Sequence, residues 1–122
     1  ETTSATPIVC ATISSGSTSY FYQNRMDTNC AYAFRILCVA NVTNGGDTKA
    51  WELYGCLKRG ASGAPTLVGA VTKNIIAADS GAASWDVNLA INTTDGFSVE
   101  VTGQASTTIR WNASVFTSEI EY

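Results

Sequence analysis

Histidine is absent from this 122-residue sequence, methionine occurs once and proline twice. Without histidine there is no Ser–His or Cys–His nucleophile pair, and the commonest general base at neutral pH is missing. Its absence also leaves the cysteines without an imidazole partner for a mixed metal site. Charge is sparse, at 14% of residues, and the net charge is −3. Lysines and arginines form no cluster, which excludes a nucleic-acid partner, because phosphate contacts need concentrated positive charge. No apolar run approaches the ~20 residues of a membrane helix, so helical membrane insertion is not expected. Glu1-Thr2-Thr3 lacks the basic and apolar regions of a secretory signal. No helical period of useful length, linker or internal repeat is found. Nothing in the composition calls for a cofactor.

What is present is a period of two. Trp85, Val87, Leu89 and Ile91 alternate with Asp86, Asn88 and Ala90. Phe97, Val99 and Val101 alternate with Ser98, Glu100 and Thr102. Ile109, Trp111, Ala113 and Val115 alternate with Arg110, Asn112 and Ser114. Such alternation buries one face and wets the other, as in antiparallel sheets. A turn over residues 92–96 sets Leu89 against Val99 and Ile91 against Phe97. A second turn over 103–107 sets Val101 against Ile109, Val99 against Trp111 and Phe97 against Ala113. Every apolar side chain then meets another. The opposite face becomes a polar row of Asn88, Glu100 and Arg110, with an ion pair between the last two.

Upstream, strands are expected at residues 6–13, 19–23, 30–42, 49–58 and 66–76. The segment 30–42 is apolar in both phases (Tyr32, Phe34, Ile36; Ala33, Leu37, Val39) and reads as central. Asn44-Gly45-Gly46-Asp47 is a hairpin turn, and residues 60–65 form a loop. Strands at roughly ten-residue spacing predict an all-β fold. The expected form is an antiparallel β-sandwich, jelly-roll-like, of about eight strands in one domain, 1–122. Residues 1–29 either fold back on it or reach to a neighbouring subunit as an arm.

Candidate chemistry is thin. Glu52, Asp79, Asp86, Asp95 and Glu100 are the acids a two-carboxylate hydrolase would draw on, but turn capping and cross-strand pairing account for several of them. No catalytic residue is assigned and the chain is not expected to be an enzyme. Trp51, Trp85 and Trp111 fall in apolar phases and read as core. Tyr20, Phe21 and Tyr22 form an aromatic cluster suited to an interface or to stacking on sugar rings. Asn44 and Asp47, with the 60–65 loop, are candidate ligand positions, because loops vary while sheets hold. Four cysteines sit at 10, 30, 38 and 56. Cys10 with Cys30 is the preferred disulfide, while burial accounts for Cys38 and Cys56. No cysteine spacing matches a metal site.

Several blocks resemble a known family. They are Ala40-Asn41-Val42-Thr43-Asn44-Gly45-Gly46-Asp47-Thr48-Lys49-Ala50-Trp51-Glu52, then Gly55-Cys56-Leu57-Lys58-Arg59-Gly60, and Leu67-Val68-Gly69. Ile76-Ala77-Ala78-Asp79-Ser80-Gly81-Ala82-Ala83-Ser84-Trp85-Asp86-Val87 and Val99-Glu100-Val101-Thr102-Gly103-Gln104-Ala105-Ser106-Thr107-Thr108-Ile109-Arg110-Trp111 follow in the same order. Together they resemble a β-domain of bacteriophage tail-fibre-like and minor virion structural proteins. Cys38 and Cys56 depart from the small or aliphatic residues associated with those positions. The resemblance implies a virion location and a homotrimer in contact with other virion proteins. It also implies a face that binds host surface polysaccharide or receptor, for host attachment. Alternatives are a capsid decoration or head-fibre protein bound to the shell, and a secreted carbohydrate-binding module or cell-surface filament subunit.

Overall fold

The structure is a computed structural model. It describes residues 8–13, 18–42, 44–91 and 94–121, and for residues 8–24 the backbone alone. Among the described residues nine strands run in the order β1 (Ile8–Ile13), β2 (Thr18–Arg25), β3 (Cys30–Val42), β4 (Thr48–Arg59), β5 (Thr66–Leu67), β6 (Thr72–Ala78), β7 (Asp86–Ile91), β8 (Gly96–Thr102) and β9 (Ile109–Glu121). A 3-10 turn at Ser80–Ala82 separates β6 from β7. The large sheet has the order β1-β9-β3-β4-β5, with β6 also on β4; the small sheet is β2-β8-β7. All pairings are antiparallel. The fold is an all-β sandwich.

The alternating pattern explains the layers. Tyr32, Phe34, Ile36, Cys38 and Ala40 of β3 are buried, as are Trp51, Leu53 and Leu57 of β4 and Ile109, Trp111, Ala113 and Val115 of β9. Val87 of β7 and Phe97, Val99 and Val101 of β8 close the same core from the small sheet. Trp51 and Trp111 stack with centroids 5.6 Å apart, and Trp85 leans on Trp111 at 6.3 Å. The β3–β4 hairpin turns at Asn44 (φ 72°) and Gly45 (φ 74°). Glycine enters the left-handed region without steric cost and asparagine tolerates it, which suits this pair to the turn.

The expected β7–β8 register is observed, with Leu89 opposite Val99 and Ile91 opposite Phe97. The expected β8–β9 hairpin is not. The connection after Thr102 crosses between sheets, so β8 pairs with β2 and β7 while β9 pairs with β1 and β3. Val99 and Trp111 therefore line one core from opposite layers. A period of two fixes which face is dry, but a six-residue connection permits either a hairpin or a crossing. The proposed Glu100–Arg110 pair fails for the same reason: Glu100 opposes Tyr20 and Asn88, whereas Arg110 opposes Thr12 and Asn41.

β1 and β2 lie in different sheets, as do β8 and β9, whereas β3 and β4 form a hairpin within one sheet. β1 pairs with β9 and β2 with β8.

The structure does not bring Cys10 beside Cys30, the preferred disulfide partner. Cys10 lies opposite Asn112, which lies opposite Val39, nine residues along β3 from Cys30. Nine strand residues span about 30 Å, against the ~5.5 Å between Cα atoms that a disulfide needs. Cys30 is a free thiol whose Sγ donates to Asp27 O at 2.7 Å.

Cations from the β4–β6 side tie the two layers together. The buried Lys49 donates through Nζ to Ala83 O (3.1 Å) and Trp85 O (2.8 Å) and lies 5.2 Å from the Trp51 ring centroid. Lys73 reaches Asp86 Oδ1 (2.8 Å), Asn88 Oδ1 (2.9 Å) and Val87 O (3.2 Å). At the other end Arg59 holds Met26 O and Gly63 O.

Candidate functional site

The feature that the core does not use is the outer face of the large sheet. On β3 the residues alternating with the core are Ala31, Ala33, Arg35, Leu37, Val39 and Asn41. Register places Phe116, Arg35 and Tyr54 in one row across β9, β3 and β4. Ser114, Leu37 and Glu52 form the next row, and Asn112, Val39 and Ala50 the one after. In the other direction come Ser118, Ala33 and Cys56, then Ile120, Ala31 and Lys58. Leu37, Val39, Tyr54, Phe116 and Ile120 are 41–59% exposed. The expectation that 30–42 is a central strand holds. Its second phase has no layer above it among the described residues.

One ion pair sits in the middle of this apolar surface. Arg35 donates to Glu52 Oε2 from Nη2 (2.6 Å) and Nε (2.9 Å). Concavities follow β3 on the same face. One of about 230 Å³ is lined by Val39, Asn41, Arg110 and Asn112, and one of about 280 Å³ by Ala33, Arg35, Phe116 and Ser118. A wider one of about 580 Å³ lies under the 60–65 loop, against Asn29, Ala31, Lys58, Ser62 and Thr66. It offers hydrogen-bond donors from Lys58, Asn29, Ser62 and Thr66 around an apolar floor.

The positions nominated from sequence do not converge. Asn44 and Asp47 belong to the hairpin at one end of β3, and the 60–65 loop lies at the other end. The twelve residue steps of β3 between them span about 40 Å. The hairpin has local work: Asn41 Nδ2 donates to Gly46 O (3.0 Å) and Thr48 Oγ1 (2.7 Å), and Val42 N to Asp47 O (2.9 Å). Tyr20, Phe21 and Tyr22 lie in β2 of the small sheet, where Tyr20 opposes Glu100 and Phe21 opposes Val99. Their side chains, like that of Cys10, lie outside the described residues.

Four of the five candidate acids are engaged structurally. Glu52 pairs with Arg35, Asp86 with Lys73 and Asp95 with Arg25 (2.7 Å), and Asp79 Oδ2 accepts from Thr48 N (2.9 Å). Burial alone would raise the Asp86 pKa. Hydrogen bonds from Lys73, the Val87 amide and Asn88, with the Lys73 charge, outweigh it and the net shift is downward. Burial pushes the Cys38 thiol up to about 12 and also raises Cys30, with help from the Glu121 and Asp27 charges. No group of three or more potential metal ligands occurs among the described residues.

The sequence reasoning missed this face. The signal was present: Leu37 and Val39 are apolar in the phase of Arg35, and Phe116 and Ile120 are apolar in the polar phase of β9.

Comparison with known proteins bears on the fold. No protein-family model and no curated protein matches the chain. Among solved structures, the tailspike protein of Acinetobacter phage vB_ApiP_P1 is similar over 97% of this chain, with a TM-score of 0.50 and 19% identity. The match spans 22% of that protein's length. At this identity the likeness concerns the arrangement of strands. The chain thus has a fold also found within a phage tailspike.

Proposed function

We propose that this chain is a structural, non-enzymatic part of a phage virion, tail-fibre-like, that assembles with copies of itself and presents a host-binding surface. The observation that carries the proposal is a strand arrangement shared, across nearly the whole chain, with part of a tailspike. Two features support it. Four of the five candidate acids are held by structural partners, and a large exposed apolar sheet face suits a subunit better than a free monomer. Homotrimers are the expected state, from the resemblance of the sequence blocks to tail-fibre-like proteins. The exposed 60–65 loop, beyond the end of the sheet face, is the position offered to host polysaccharide or receptor.

Immunogold labelling of purified particles tests this reading. Label on the tail, at a few to dozens of copies, is the expected result. Label on the head, at hundreds of copies, would convert the reading to capsid decoration. Particles free of label would overturn both.

A further inference from the structure

We propose that the outer face of the large sheet is the contact between copies of this chain, with each copy's Arg35 set against the next copy's Glu52. The proposal rests on the self-assembling reading above and names the surface that carries it.

Three observations select a further copy as the occupant. The first is area. From Val39 to Ala31 the apolar rows run eight residue steps, about 27 Å, and three strands with their side chains are about 15 Å wide. That is a centre of roughly 400 Å², apolar at Leu37, Val39, Tyr54, Phe116 and Ile120 and polar between them, within the range of the largest exposed patches of monomers, which are often functional. With the flanking strands the face reaches about 1,000 Å², enough for the ~800 Å² per partner of a standard interface.

The second is charge. The centre of the face carries one cation and one anion side by side, and both are accessible: the Arg35 and Glu52 side chains are 59% and 26% exposed. Copies that share one face around a symmetry axis must find complementary groups within that same face. A face of a single sign would repel its copy, and a face with no charge would leave the register unspecified. A symmetry axis running between Arg35 and Glu52 places unlike charges together across the contact, in a pair or in a closed ring. Burial then leaves neither charge unmatched, which is the condition for an interfacial ion pair to be tolerated.

The third is chemistry. The large exposed groups, Leu37, Val39, Ile120, Phe116 and Tyr54, are mainly aliphatic and lie in continuous rows. Sheet faces of this composition pack on other sheet faces.

Charge reversal on the full chain tests the assignment, read by sedimentation velocity and native mass spectrometry. The unmodified chain is expected to associate. Arg35→Glu and Glu52→Arg should each weaken association by at least about tenfold, with unchanged circular dichroism because neither side chain enters the core. The deciding measurement mixes the two variants. One then carries two acids at the centre and the other two bases, so mixed oligomers should form that neither variant forms alone. Leu37→Glu should give monomers and resist rescue by mixing. A chain that stays monomeric at about 100 μM would overturn the proposal, as would single reversals that leave association intact or a mixture that stays unassociated. Association through some other surface would leave the virion reading standing, whereas unlabelled particles with intact association would remove the virion reading alone.

Discussion

The two faces of the large sheet are built from the same strands and differ in what meets them. Inward, Trp51, Trp111, Ile36 and Cys38 are sealed by β7 and β8. Outward, one residue away along each strand, Leu37, Val39, Tyr54 and Phe116 stand open. Side-chain polarity alone does not separate the two faces of β3; the presence of a second layer does. Apolar character in a strand therefore reports that a face gets covered, without saying whether the same chain supplies the cover.

Thiol chemistry should break this comparison most sharply. Cys38 points into the core and Cys56 to the outer face, half-exposed. With its pKa pushed to about 12, Cys38 is almost wholly protonated at pH 8, and the thiolate is the reactive form. Reagent reaches it only when the sandwich opens, so alkylation should be slower than at Cys56 by about a thousandfold or more. Peptide mapping after timed alkylation checks this, and comparable rates would mean that the inner face is not sealed. A drop in Cys56 labelling as protein concentration rises would sharpen the contrast, because association covers only the outer side.

Next in size is a matched pair of truncations on one strand. Trp111→Ala should cost about 3–5 kcal/mol, because the side chain is fully buried and packs on Trp51 and Trp85. Phe116→Ala, five residues along β9 on the other face, should change monomer stability by under about 0.5 kcal/mol. Denaturant titration at low protein concentration reads both. Near-equal losses would show that the outer face is covered within the monomer.

The same contrast explains how much was legible beforehand. Strand existence was readable because turns and period agree locally: β3 was expected at 30–42 and lies at Cys30–Val42. The β7–β8 register was readable because a short polar turn fixes it. The partner of β9 was not, since its strongest pairing, with β3, joins segments about seventy residues apart, and a single-strand pattern carries no information on such distant closure. The acid pairings failed with it. Arg35–Glu52 and Lys73–Asp86 depend on diagonal and inter-sheet neighbours that no local spacing predicts. The outer face was visible as an excess of apolar residues in both phases, yet a buried central strand gives the same excess.

The smallest effect lies at the rim, where the sheets are joined by charge and not by apolar contact. Asp86 begins β7 and is held by Lys73 of β6. Its pKa in the folded chain is lowered, so its contribution is complete above the unfolded carboxylate value of about 3.9 and is lost as the pH falls through the folded value. The Asp86 side chain is 43% exposed, and solvent screening keeps the contribution below about 1 kcal/mol. Asp86→Asn should therefore lower the melting temperature slightly at pH 7. The gap to the unmodified chain should close as the pH falls below about 4, where the native carboxylate also becomes neutral. A gap that persists undiminished in acid would mean that Asp86 acts through its shape and hydrogen bonds, and that charge does not hold this edge of the sandwich shut.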